Sequence, residues 1–160
     1  MSVVYDEVTL RNAIKEMSER GFLSDDEAKS LQIFDLLKYL NSDIGRLVHK
    51  ASLEGRLLRE QNFVFSERID KLFAGLSEDE LSDQEVLVQG EIDCLVVGDD
   101  GVIVIDYKTD RVSDDQELLN RYSRQLQIYG EAASRTFGRE IDKLYIYSFV
   151  LNRFIEVLPL

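Results

Sequence analysis

The stretch that most narrows what this chain can fold into runs from Gly90 to Asp110, GEIDCLVVGDDGVIVIDYKTD. Two apolar runs, Cys94 to Val97 and Val102 to Ile105, flank Gly98-Asp99-Asp100-Gly101, residues that tolerate the positive φ angles of a tight hairpin turn. With that loop, facing residues have numbers summing to 199, which sets Asp93 opposite Asp106 and Glu91 opposite Lys108. Asp106 and Lys108 lie two apart on one strand and share a face, while Tyr107 points to the other. One face should therefore gather Asp93, Asp106, Lys108 and Glu91.

Such a cluster is costly. Carboxylates facing each other across a strand pair repel, and the run Val102 to Ile105, all β-branched, reads as a central strand buried on both faces. A lysine offsets one charge, and convergent oxygens beside it form the hard corner that Mg²⁺ or Mn²⁺ prefers. A hairpin with charged ends and no chemistry is the plain alternative, but it leaves buried charge without a use.

The spacing, an Asp, twelve intervening residues, then Asp-x-Lys on the next strand, resembles the signature of the PD-(D/E)XK nucleases. The G-E-I-D and I-D-Y-K-T-D elements resemble the AddA and RecB type, the nuclease domains of bacterial helicase-nucleases of double-strand-break repair. A third element, Gln125-x-x-x-Tyr129 on the following helix, occupies the position of that family's Q-x-x-x-Y, and Arg59-Glu60 before Phe63 is similar to its R-E-x-P-F strand. The resemblance implies an α+β, α/β/α restriction-endonuclease-like fold, with a central mixed sheet that contains the catalytic hairpin.

It also implies roles. Asp93 and Asp106, with the backbone carbonyl of Tyr107, would hold Mg²⁺ or Mn²⁺. Lys108 would position water and stabilise charge on the phosphate, Gln125 and Tyr129 would support the site, and Arg121 and Arg124 are weaker candidates for phosphate contact. The expected partners are DNA, a helicase domain of the same polypeptide and a second helicase-nuclease subunit. ATP would be bound by the helicase and not by this chain. The family's G-T-x-x-H helix has no counterpart before Gly21, and the only histidine, His49, stands in a different segment without a second ligand at metal spacing. The chain thus resembles a piece of a larger polypeptide that starts after that motif. A degenerate, non-catalytic nuclease fold and a stand-alone phage or restriction-type nuclease are the competing readings.

The 160 residues suffice for one domain with a real core. We expect a helical part over 1–58 and a nuclease core over 59–160. The net charge of −12 argues against general nucleic-acid affinity. It is uneven: residues 101–160 hold 8 Lys and Arg against 9 Asp and Glu, so the motif-bearing part is nearly neutral. A single buried-type cysteine, Cys94, no apolar run of membrane-spanning length and no signal-peptide pattern lead to the expectation of a cytoplasmic location without membrane contact, in a bacterium as the resemblance implies.

Helices are predicted over Asp6 to Arg20, from the Ser24–Glu27 capping box through Leu40, over Ile44 to Leu53, and from Gln116 to Phe137 before Gly138. The last carries an inner stripe of Leu118, Tyr122, Gln125, Tyr129 and Ala132. Strands are predicted at Glu60 to Ser66, Val86 to Asp93, Lys143 to Val150 and Phe154 to Leu158, and a surface insertion or short helix between Glu67 and Gln84.

Overall fold

The computed structural model describes residues 4–69 and 84–159. Four helices come first: α1 (Glu7–Glu19), α2 (Asp25–Ser30), α3 (Ile33–Leu40) and α4 (Asp43–Leu53). Then follow β1 (Leu57–Arg68), β2 (Glu85–Val97), β3 (Val102–Lys108), α5 (Asp115–Phe137), β4 (Ile141–Ser148) and β5 (Arg153–Val157). The strands form one sheet in the order β1-β2-β3-β4-β5, antiparallel throughout except for the parallel pair β3–β4 that α5 connects. The sheet is therefore mixed, as expected.

Each face of the sheet has its own core. Ile92, Leu95, Val102, Val104, Leu144 and Ile146 meet Leu118, Leu126 and Ala133 of α5 on one side. Cys94, Val96, Ile103, Ile105 and Tyr147 meet Val48 and Ala51 of α4 on the other, with Tyr39 of α3 packed against them. The result is an α/β/α sandwich. Strand β3 runs through its middle, and Val102 to Asp106 are all buried. Among the described residues no helix is long and apolar enough to cross a membrane.

The helix starts obey local chemistry. Asp6, Ser24, Ser42 and Asp114 each accept a backbone N–H at the start of a helix, and Ser24 with Glu27 completes the capping box. Gly138, at φ 61°, ends α5 in the left-handed region.

Several expectations need correction. The second predicted helix is two helices: Leu31 and Gln32 adopt extended backbone between α2 and α3, and turn the Ile33–Leu40 segment so that Tyr39 reaches the sheet. Glu67 and Arg68 belong to β1, and most of the predicted surface insertion lies outside the described residues. In α5 the deepest seam is Leu118, Leu126, Gly130, Ala132 and Ala133. Tyr122, Gln125 and Tyr129 border it, half-buried, rather than forming it.

Strands β1 and β2 pair in one register on both sides of a single gap but slip in side-chain phase across it. Leu58 and Phe63, five positions apart on β1, both pack on the α5 side, as do Ile92 and Leu95, three positions apart on β2. The slip falls at Glu60, whose φ of 50° is in the left-handed region, and at Asp93, its unpaired counterpart. For a residue with a Cβ that conformation costs on the order of 1 kcal/mol.

Candidate active site

The β2–β3 ladder follows the predicted register from Val97–Val102 to Cys94–Ile105 and ends there. Asp93 and Asp106 are therefore not a ladder pair. Beyond Ile105, β3 continues beside β4 alone among the described strands, to Lys108–Ser148. Glu91 faces Asn62 of β1, is exposed, and stands outside the cluster that the simple register placed it in.

What replaces the missing ladder is a side-chain contact. Asp93 turns a carboxylate oxygen, Oδ2, to accept the backbone N–H of Tyr107 at 2.9 Å. It thereby satisfies the first strand amide left open by the parting of β2 and β3. Asp106 is 3% exposed, and its Oδ2 lies 2.7 Å from the Lys108 Nζ. Burial raises the Asp106 carboxyl above its ordinary value, against the lowering effect of Lys108, and the Asp93 and Asp110 charges push the same way. Burial opposes charge on Lys108 too and is the largest single effect, but the hydrogen bond and charge of Asp106, with Tyr122 and Asp93, together outweigh it, so Lys108 holds its proton more tightly than in water.

Lys108 is held from the α5 side as well. Its Nζ lies 3.5 Å from Gln125 Oε1 and 4.3 Å from the centre of the Tyr122 ring. Gln125 in turn donates from Nε2 to the Tyr129 hydroxyl at 2.6 Å. The polar residue in the helix stripe thus has both halves of its amide engaged. Tyr129 stands edge-on to Phe63 at 5.4 Å. Both rings crowd Gly90: a Cβ there would come within 2.8 Å of Phe63 and 3.3 Å of Tyr129. The glycine of G-E-I-D is needed because two rings close over it.

Tyr107 points to the opposite face, as the alternation requires, and its hydroxyl shares a 2.6 Å hydrogen bond with Tyr39 of α3. A cleft of about 330 Å³ opens on that side between Tyr39, His49, Arg59, Asp93, Tyr107 and Phe149. His49 binds the Tyr5 hydroxyl through Nδ1 at 2.9 Å, a structural role. Cys94 is a free, buried thiol. Arg121 is committed to Glu117 and lies 3.8 Å from Asp110, and Arg124 is half-buried with an interaction of its own.

The structure thus brings Asp93, Asp106, Lys108, Gln125 and Tyr129 to the end of β3 where β2 leaves it, with Gly90 of G-E-I-D beside them and Tyr122 as a member that motif reading passes over. Tyr122 reads as core packing in the helix stripe, and only its distance to Lys108 reveals otherwise. Among the described residues no group of three or more His, Cys, Asp or Glu side chains could hold a metal ion. Two carboxylates, each with Oδ2 engaged and Oδ1 left over, and the main chain of Tyr107 are the oxygen donors that suit a hard cation.

Comparison with known proteins shows the family. A family model described as the PD-(D/E)XK nuclease superfamily matches residues 5–151. A protein of Clostridium kluyveri, named as a subunit of an ATP-dependent helicase/nuclease, is 32% identical over 148 residues, 92% of this chain and 12% of its relative. Its namesake from Clostridium botulinum (Loch Maree) is 29% identical over 153 residues, 95% of this chain and 12% of its relative. The chain therefore spans about 12% of the length of these relatives. A solved structure titled "Crystal structure of SSO0001" aligns with 94% of the chain and 63% of its own, at 19% identity and a TM-score of 0.42.

Proposed function

The chain belongs to the PD-(D/E)XK nuclease superfamily, and from that premise we propose that it hydrolyses DNA phosphodiesters with a divalent metal, as the exonuclease domain of a helicase-nuclease in double-strand-break repair and recombination. The observation that carries the reading is Asp106: a carboxylate 3% exposed, raised by burial, with Lys108 at 2.7 Å and a second carboxylate close enough to oppose its ionisation. A structural ion pair has no need of Asp93, and an apolar pair would serve stability as well.

Asp93 and Asp106, with the main-chain carbonyl of Tyr107, are the groups that would hold Mg²⁺ or Mn²⁺. Bound there, the ion supplies Lewis acidity to the phosphate and lowers the pKa of water. Lys108 presents a fixed ammonium to charge that develops on the phosphate and orients the attacking water. Gln125 and Tyr129 keep that lysine in place. Arg121 and Arg124 stand on the same helix for backbone phosphates. Because the net charge is −12, the domain relies on an attached ATP-driven helicase and a second subunit to deliver the strand.

A non-catalytic scaffold is the second reading, favoured by the two-carboxylate donor set. Titrating Mn²⁺ calorimetrically into the chain and into its Asp106→Asn variant, followed by cleavage of a labelled oligonucleotide, separates the two. Binding lost in the variant together with metal-dependent cleavage is the expected result. Cleavage by the variant at the parent rate would refute the assignment, and metal-independent binding without cleavage favours the scaffold.

A further inference from the structure

Lysine carries its charge on a flexible four-carbon stem, so a lysine that must meet one phosphate oxygen needs its head held. The Lys108 side chain is 15% exposed, and Asp106 and Gln125 account for only part of its surroundings. The remainder is the Tyr122 ring, whose centre is 4.3 Å from Nζ, well inside the range in which an aromatic face attracts a cation. The ring itself is anchored. Its hydroxyl donates to Asp110 Oδ1 at 2.7 Å, and the same oxygen lies 3.8 Å from Arg121. Asp110 is the last residue of I-D-Y-K-T-D, on the loop that leaves β3, and Tyr122 is two turns into α5.

We propose that Asp110 and Tyr122 form a bracket for Lys108: Asp110 fixes the ring through its hydroxyl, and the ring face holds the ammonium beside Asp106. Both are positioning residues. The second carboxylate of the motif thereby serves as an anchor, one oxygen turned to Tyr122 and Arg121. The bracket's value to cleavage rests on the nuclease reading above, but its existence does not.

The test uses the whole chain without metal or DNA. The rate at which an amine-acylating ester modifies Lys108 is followed by peptide mass spectrometry in the parent, Tyr122→Leu, Tyr122→Phe and Asp110→Ala, with thermal melts confirming that each is folded. Removing the ring in Tyr122→Leu should speed acylation on the order of fivefold. Tyr122→Phe keeps the ring but loses its anchor, as does Asp110→Ala, so both should be about twofold faster than the parent. Parent-like acylation in Tyr122→Leu, or a Tyr122→Phe variant as fast as it, overturns the bracket. If Tyr122→Leu does not fold, parent-like acylation in both Tyr122→Phe and Asp110→Ala overturns it instead. In the metal-loaded cleavage assay, Tyr122→Leu should lower kcat with KM and Mn²⁺ affinity unchanged, and Tyr122→Phe should restore most of it. A parent that never cleaves would sink the nuclease reading and leave the acylation result standing.

Discussion

The two ends of β3 differ in almost every respect. From Val102 to Ile105 the strand has ladder partners on both sides and apolar contacts on both faces, with Val102, Val104 and Ile105 at 0% exposure. From Asp106 to Lys108 it has lost β2, and its side chains are a buried carboxylate, a tyrosine and a lysine. The first half buries apolar surface and holds the sheet together. The second gives up half its ladder and accepts desolvated charge, and what it gains is a set of polar groups whose directions the first half fixes.

Substitutions should separate these halves cleanly. The largest effect is expected for Asp106→Ala, which should reduce metal-dependent cleavage by about a thousandfold or more. Its urea midpoint reads the balance between a buried carboxylate removed and a Lys108 ammonium left without its partner, and a loss above about 3–5 kcal/mol would mean that the polar end is structural after all. Leu95→Ala, at 0% exposure beside the apolar half, should cost about 2–5 kcal/mol in urea unfolding. Small loss there would break the division from the other side.

Gly90→Ala is intermediate, because the added methyl meets Phe63 and Tyr129. It should destabilise by about 1–3 kcal/mol and displace Tyr129 from Gln125, lowering kcat more than Mn²⁺ affinity. The pH dependence follows from Asp106. Its folded-state pKa is raised above 3.8, so the native state binds that proton more tightly than the unfolded chain. The group therefore works against folding above its folded pKa, and that penalty fades as pH falls through the folded value toward 3.8. Asp106→Asn should accordingly be more stable than the metal-free parent near neutral pH, with the difference shrinking in acid, as melts across the range would register. The smallest effect is expected for Glu60→Gly, which relieves a positive φ and should stabilise by up to about 1 kcal/mol.

What could be read from the sequence divides along similar lines. The hairpin register, the central burial of β3 and the position of α5 follow from runs of β-branched residues, a glycine-rich turn and capping residues, all local signals. That Gln125 needs partners was legible because a polar residue interrupts an apolar stripe, and its place near the hairpin was implied by the family resemblance; the contact with Lys108 comes from the structure. The break between α2 and α3 was not, since no glycine or proline marks it and packing of Tyr39 on the sheet decides it. Nor was the parting of β2 from β3, because register arithmetic extends a ladder indefinitely and only the geometry at Asp93 says where it stops. Tyr122 was hidden for a related reason: an aromatic residue on an inner stripe looks the same whether it packs on leucine or holds a cation.

The far end of the β1–β2 hairpin, Arg68 opposite Glu85, lies eight residues from Asp93 along β2, about 26 Å at the usual strand rise. The rings of Phe63 and Tyr129 and the phase slip at Glu60 stand between the two. That distance makes the Arg68–Glu85 end a place for a reporter dye or a tether set well away from Asp93.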